Sequence, residues 1–340
     1  MSLRNCAIIA CDHGLGHVRR CYLIAQALVQ RGCQVDLLAP RHKYETFATL
    51  FGRCNNLRNI DFATQTHPDY LRRLRPETVE WYQRLPSLQS YDLVLCDNLP
   101  EVLTVRPDAV LSGHFFWHDA LPDLPNIYRE KVDVWLRDYS PLVIATELFA
   151  SPLVKAQPRY YPVGLFVYQN PQTSALQGNS LLVSGGSTLA LGKQLTQMIV
   201  TMAETKPDGI EGIYIDSNLL QACGLEKNRP SWMQVATYDD AMYSQVTGAI
   251  CRPGIGTITD LLAHGGRPFC VFESDNLEVI RNAKVLKALY LGEVYSNIDL
   301  ALQQAVIYNS SIHFRQHHLH ALNILSFNGV SQITELLLNL

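Results

Sequence analysis

The chain contains no apolar run approaching the roughly 18 residues needed to span a membrane. Its first apolar stretch, Ala7–Cys11, is too short for a secretory leader. No two of its nine cysteines form a C-x-x-C pair. An odd, scattered set of this kind reads as reduced thiols packed into strands. The expected location is therefore cytoplasmic, with membrane contact at most peripheral, on the inner face. Charge is also scarce: 17% of residues are Asp, Glu, Lys or Arg, and the formal net charge is -3. That balance argues against a nucleic-acid partner. There is no internal repeat and no low-complexity tract.

What is present is core. Apolar residues make up 47% of the 340, enough for two domains of ordinary size. Short apolar runs alternate with helical periodicity from the start. Strands are expected at Ala7–Ala10, Val35–Ala39, Leu93–Cys96, Ala109–Leu111 and Leu142–Ala145. The pattern then restarts at Ser180–Ser184, Gly212–Ile215, Val246–Cys251 and Phe269–Phe272. Such alternation implies two parallel sheets covered by helices. The polar stretch 168–179 reads as a linker, giving domains at 1–167 and 180–340, with a final helix free to cross back. Ligands in such sheets bind beyond the carboxyl ends of the strands, and an interdomain cleft is the expected place.

Two glycine turns mark those ends. The first, Asp12-His13-Gly14-Leu15-Gly16-His17, leads into a helix over about 18–31 whose stripe is Cys21, Ile24, Ala25, Leu28 and Val29; Gly32 stops it. A dinucleotide fingerprint would need glycine where Arg19 stands and an acid at the end of the next strand. Asp36 lies inside that strand, so an NAD site fits poorly. The second turn, Cys251 to Asp260, joins a buried strand to a helix and has the outline of a phosphate site.

Three segments carry a resemblance. Gly14-Leu15-Gly16-His17-Val18-Arg19-Arg20 is similar to a G-x-G-H-x-x-R turn. Ser184-Gly185-Gly186-Ser187 is similar to a glycine loop opening a C-terminal domain. Arg252 to Asp260, with Gly265-Gly266-Arg267-Pro268 and Asn282-Ala283, is similar to a donor-binding signature. In this order the chain resembles the GT-B nucleotide-sugar glycosyltransferases. Within that family it resembles the branch that builds the peptidoglycan lipid intermediate, and also a related nucleotide-sugar hydrolase of pseudaminic acid synthesis. Asp260 stands where that signature usually has Glu, and the usual glutamine before Asn282 is missing.

The resemblance implies two Rossmann-like domains facing across a cleft. It implies an inverting transfer from a nucleotide-diphosphate sugar, UDP-linked, with no cofactor beyond that substrate. The acceptor is left open between a lipid-linked and a saccharide one. His17 is implied as general base, against a helix-turn histidine, and His13 shares the role or lines the loop. Gly14, Gly16, Ser184, Gly185, Gly186, Ser187, Gly254, Gly256 and Thr257 are implied around the diphosphate, against plain tight turns. Arg252 pairs with phosphate or with an acid of its own domain. Tyr238 borders the base or anchors a loop. Asp260 holds the ribose or merely suits the helix dipole. Glu278 and Asn282 are placed near the sugar hydroxyls.

No metal is expected. His114 and His118, four residues apart, lack a full ligand set, and His317, His318 and His320 read as a surface helix. The chain also lacks an Asp-x-Asp pair. The basic and aromatic stretch Tyr70 to Arg84 reads as a solvated face with core aromatics, or as a dock for an anionic surface. Water as nucleophile, an epimerase and a non-catalytic nucleotide-sugar binder are the alternatives on the same scaffold.

Overall fold

The computed structural model describes residues 4–168, 178–185, 191–272 and 276–340. Residues 169–177 of the expected linker, and Gly186 and Ser187 of the glycine loop, lie outside them. The chain forms two compact units. One comprises the residues up to Tyr168, a short stretch ending at Glu278, and Ser326–Leu340; the other holds the remainder up to Leu325.

The first unit is built on seven parallel strands: β1 (Asn5–Ile9), β2 (Gln34–Ala39), β3 (Leu57–Asp61), β4 (Leu93–Asp97), β5 (Val110–Ser112), β6 (Val143–Thr146) and β7 (Tyr160–Val163). Their order is β3-β2-β1-β4-β5-β6-β7. The second unit has six: β8 (Ser180–Ser184), β9 (Ile213–Ile215), β10 (Met233–Val235), β11 (Val246–Cys251), β12 (Arg267–Val271) and β13 (Glu293–Tyr295), in the order β10-β9-β8-β11-β12-β13. Strand order reverses between β1 and β4, and again between β8 and β11. These are the switch points where doubly wound sheets open a crevice beyond their carboxyl ends.

Helices cover both faces of the sheets, so interior strands are apolar on both sides. In β4 and β11 every residue is buried. The nine strands legible as apolar runs are the nine interior ones. The other four, β3, β7, β10 and β13, are the sheet edges. There a strand has one neighbour and keeps polar residues toward water, as in Leu57-Arg58-Asn59-Ile60-Asp61.

The first helix spans Gly16–Gln30, beginning two residues earlier than its periodicity suggests. Cys21, Ile24, Ala25 and Leu28 are buried as the stripe requires, and so are Arg19 and Arg20. Gly32 ends the helix in the left-handed region (φ +88°), with Cys33 N–H donating back to Leu28 O at 3.1 Å. Arg19, standing where a dinucleotide fold needs glycine, lies over the Phe51 ring and donates to Phe166 O at 3.1 Å. Asp36 pairs with Arg58 and accepts from Tyr91 Oη at 2.6 Å. Both findings dispose of the dinucleotide fingerprint.

The C-terminal helix Gly329–Leu338 packs into the first unit. Ile333 and Leu337 are fully buried in its core, each contributing about 1.5–3 kcal/mol of apolar burial. Leu165 N–H donates to Ser326 O at 2.7 Å, and Gly164 N–H to Gln332 Oε1 at 2.8 Å. A Cβ at Gly329 would sit 2.2 Å from Gly164 O, so this junction needs glycine on both sides.

Candidate active site

In the first unit the turn after β1 is held from below. The Asp12 carboxylate accepts from Thr64 Oγ1 (2.8 Å), Gln65 N (3.0 Å) and Thr66 N (3.1 Å), while Lys43 Nζ donates to its carbonyl. Gly14 takes the left-handed φ of +81° that turns the chain into the first helix. His17 therefore stands in the first turn of that helix. Arg20, three residues on, shares its face.

β4 lies beside β1, and its last residue, Asp97, comes under that helix. His17 Nδ1 and Asp97 Oδ2 are 2.6 Å apart. Asp97 is fully buried, while the His17 side chain is 14% exposed. Burial alone would push the Asp97 carboxyl up; Arg20, and then His17, outweigh it and hold it below the usual range. A charged carboxylate accepts, so neutral His17 carries its proton on Nδ1 and its lone pair on Nε2. That is the arrangement of an oriented general base. Asp97 itself, buried and doubly bonded, is an orienting group and not a free base.

His13 is built differently. Its ring sits against those of His67 (5.3 Å) and Trp117 (5.2 Å). Burial, with His17 and His67 beside it, pushes it down to about 3. So low a value leaves it a weak proton acceptor at neutral pH.

His114 and His118 are both buried in the first unit. His114 is buried at the end of β5: its Nε2 takes a hydrogen bond from Arg20 at 2.6 Å, and its Nδ1 faces Thr146 Oγ1 at 3.0 Å. His118 is buried, with Nε2 3.3 Å from Asp133. His318, expected on a surface helix, is buried too, donating from Nε2 to Gly266 O at 3.0 Å. Its neighbour Arg267 pairs with Glu293 at 2.8 Å and lies over the Tyr308 ring. Gly266 and Arg267 of the signature are thus engaged within the second unit. Within 70–84, Leu71 and Trp81 are buried, Arg72 pairs with Asp69 and Asp123, and Arg75 pairs with Glu77.

In the second unit, register sets Ser184 of β8 beside Cys251 of β11. Gly185 and Arg252 therefore follow adjacent strands. Ser184 Oγ accepts from Tyr238 Oη at 3.2 Å, and Tyr238 holds a left-handed φ of +58°. Asp239 caps the helix Asp240–Gln245 through Met242 N–H at 2.8 Å. The helix Ile255–Ala263 starts at Gly254 with no side-chain cap. A glycine at the N-cap brings no side chain onto the first N–H groups, and such groups at a helix start favour an anion. Gly254 is exposed, and Arg252, Gly256, Thr257 and Asp260 are half-buried around it.

Two of the expected donor residues are engaged within the protein. The Gly185 N–H is already engaged by Asp216 Oδ2 at 2.8 Å. Asn282 is fully buried and donates to Pro253 O at 3.1 Å, which braces the turn. Glu278 is half-buried in the first turn of the helix Leu277–Ala288, its N–H on Asn276 Oδ1. Asp216 was missed, although an acid directly after the apolar run Ile213–Ile215 is a readable signal. Asp97 was not paired with His17, because nothing local links residues 80 apart, and Arg20 stood in the turn motif without a role.

No protein-family model matches the chain, and no curated protein matches it. Solved structures do. It is similar to the glycotransferase of kitacinnamycin (13% identity, TM-score 0.67, 98% of each chain covered). It is similar to LpCGTa, solved in complex with UDP (14%, TM-score 0.65, 98% of this chain and 97% of that one). It is also similar to MurG of Acinetobacter baumannii (15%, TM-score 0.57, 99% and 100%). At these identities the likeness is one of fold: the chain has the two-sheet α/β architecture of the GT-B glycosyltransferases.

Proposed function

We propose that the chain is a glycosyltransferase acting in the cytoplasm, taking a sugar from a UDP-linked donor and inverting the anomeric carbon. The carrying observation is the His17–Asp97 pair at the β1/β4 switch point. Nε2 of His17 removes a proton from the acceptor hydroxyl as that oxygen attacks the anomeric carbon. The bond from that carbon to the diphosphate breaks, and the leaving diphosphate takes the electron pair. In the second unit, N–H groups at the start of Ile255–Ala263, with Thr257 and the Ser184 hydroxyl, stabilise its charge. Asp260 accepts from the ribose hydroxyls. Water in place of the acceptor gives the hydrolase, and His17 would serve it equally.

Calorimetric titration with UDP tests the donor site. Asp260→Ala is expected to weaken binding by about 1.5–3 kcal/mol, the scale of a charge-assisted hydrogen bond. Unchanged affinity removes Asp260 from the ribose. Product analysis then identifies the acceptor: free sugar formed without any added acceptor points to water.

With no Asp-x-Asp pair in the chain, the diphosphate is neutralised by helix and side-chain donors, and turnover is expected to persist in EDTA. Complete loss, restored by magnesium or manganese, overturns that.

A further inference from the structure

Arg20 is buried, and each nitrogen of its guanidinium has a partner. Nε donates to Asp97 Oδ1 at 2.8 Å, one terminal nitrogen bonds the same oxygen, and the other bonds His114 Nε2 at 2.6 Å. Ser112 Oγ adds a longer contact to Oδ1 at 3.3 Å. Only Oδ2 is left, and it faces His17 Nδ1 at 2.6 Å, much closer than Arg20 Nη2, which lies 3.5 Å from the same nitrogen. Arginine has no acceptor to offer, so His114 must accept on Nε2 and carry its proton on Nδ1, toward Thr146. Burial, and then Arg20, push His114 well below its ordinary range, which keeps that imidazole neutral.

We propose that Arg20 is a positioning residue: by bonding one oxygen of Asp97 it keeps that carboxylate charged and aimed, and so fixes the tautomer of His17. The reason is the cost of a buried charge. A fully buried carboxylate without a cation favours its neutral acid form. A protonated Asp97 would donate to His17 Nδ1 in place of accepting from it. The imidazole would then carry its proton on Nε2, and the lone pair aimed at the acceptor hydroxyl would be lost.

The remaining groups around the pair do not replace Arg20. Cys11, Cys21 and Cys96 are thiols that burial pushes well above their ordinary range. His13 and His114 are both pushed down, and Lys43 and His67 act on His13. The charge of Glu278 bears on Arg20 with the same sign as Asp97. The rings of Phe115 and Trp117 flank His17 at 6.1 and 6.2 Å. Among the described residues, Arg20 is the cation bonded to Asp97.

The test is the ¹⁵N NMR signature of His17 in the full chain, which separates the two neutral tautomers. Wild type is expected to show the Nδ1–H form at pH 7–9, and Arg20→Gln the Nε2–H form at pH 7. Arg20→Lys returns a positive charge and is expected to restore Nδ1–H. Asp97→Asn, which removes the charged acceptor, is expected to show Nε2–H. Folded Arg20→Gln that keeps Nδ1–H overturns the proposal. If Arg20→Gln does not fold, Arg20→Lys and Asp97→Asn decide: Nε2–H in the first, or Nδ1–H in the second, overturns it.

The kinetic consequence rests on the base role proposed for His17. Arg20→Gln should lower kcat by about 10²–10⁴-fold, the scale of a lost general base, with donor KM unchanged. The tautomer is read without substrate, so a failure of the glycosyl-transfer reading leaves the NMR result standing.

Discussion

Replacing His17 by alanine is expected to lower kcat by about 10²–10⁴-fold while leaving UDP affinity unchanged. The rate effect follows from the base. With Nδ1 bonded to Asp97 at 2.6 Å, the imidazole is oriented and its Nε2 is the atom that takes the hydroxyl proton. The unchanged affinity follows from where the donor is proposed to bind, on the β8 and β11 turns of the second unit. Steady-state kinetics with calorimetry on the same protein checks both parts. Normal turnover in His17→Ala would place the base elsewhere. A joint loss of UDP binding and thermal stability would mean that His17 is a structural residue of the turn. His13→Ala is the paired control, and its effect on kcat should be smaller, since His13 is pushed down to about 3.

Glu101→Gln is expected to stabilise the protein above neutral pH by about 3 kcal/mol. Glu101 follows β4 in the short turn Pro100–Thr104, is completely buried, and accepts from Tyr128 Oη at 2.9 Å. Burial pushes its carboxyl up from the ordinary 4.5 to about 7. Between those values the folded chain binds a proton that the unfolded chain has released. Stability therefore falls as pH rises from about 4.5 through about 7, and stays at the lower level above it. At about 1.4 kcal/mol per pH unit, the interval amounts to the 3 kcal/mol stated. Glutamine keeps an oxygen for Tyr128 and carries no charge. Urea unfolding of both proteins at pH 4.5 and pH 8 measures it: the difference between them should be small at the lower pH and large at the higher. A constant difference across that range would sink the argument.

Much of the fold was written locally. Interior strands of a parallel sheet are dry on both faces, so they must be apolar, and nine short runs announced them. Left-handed turns favour glycine, so Gly14 and Gly32 marked where the first helix begins and ends. A helix with one buried face shows its period, as Cys21, Ile24, Ala25 and Leu28 do. The four edge strands stayed hidden because a strand exposed along one side keeps polar residues and has no run to read.

The site was half legible for the same reason. The sequence alone placed His17 and the turn at Arg252–Asp260 at the ends of strands, since strand, turn and helix are neighbours in the chain. It could not pair His17 with Asp97. That contact exists because β1 and β4 are adjacent in the sheet, an arrangement set by strand order and register across the whole unit. Burial of Arg20, His114, His318 and Asn282 was equally beyond it. Polar side chains look alike in a sequence whether water or a partner satisfies them. Only the packed structure supplied the acceptors that allow these four to leave water: Asp97 for Arg20, and for the others Thr146, Gly266 and Pro253.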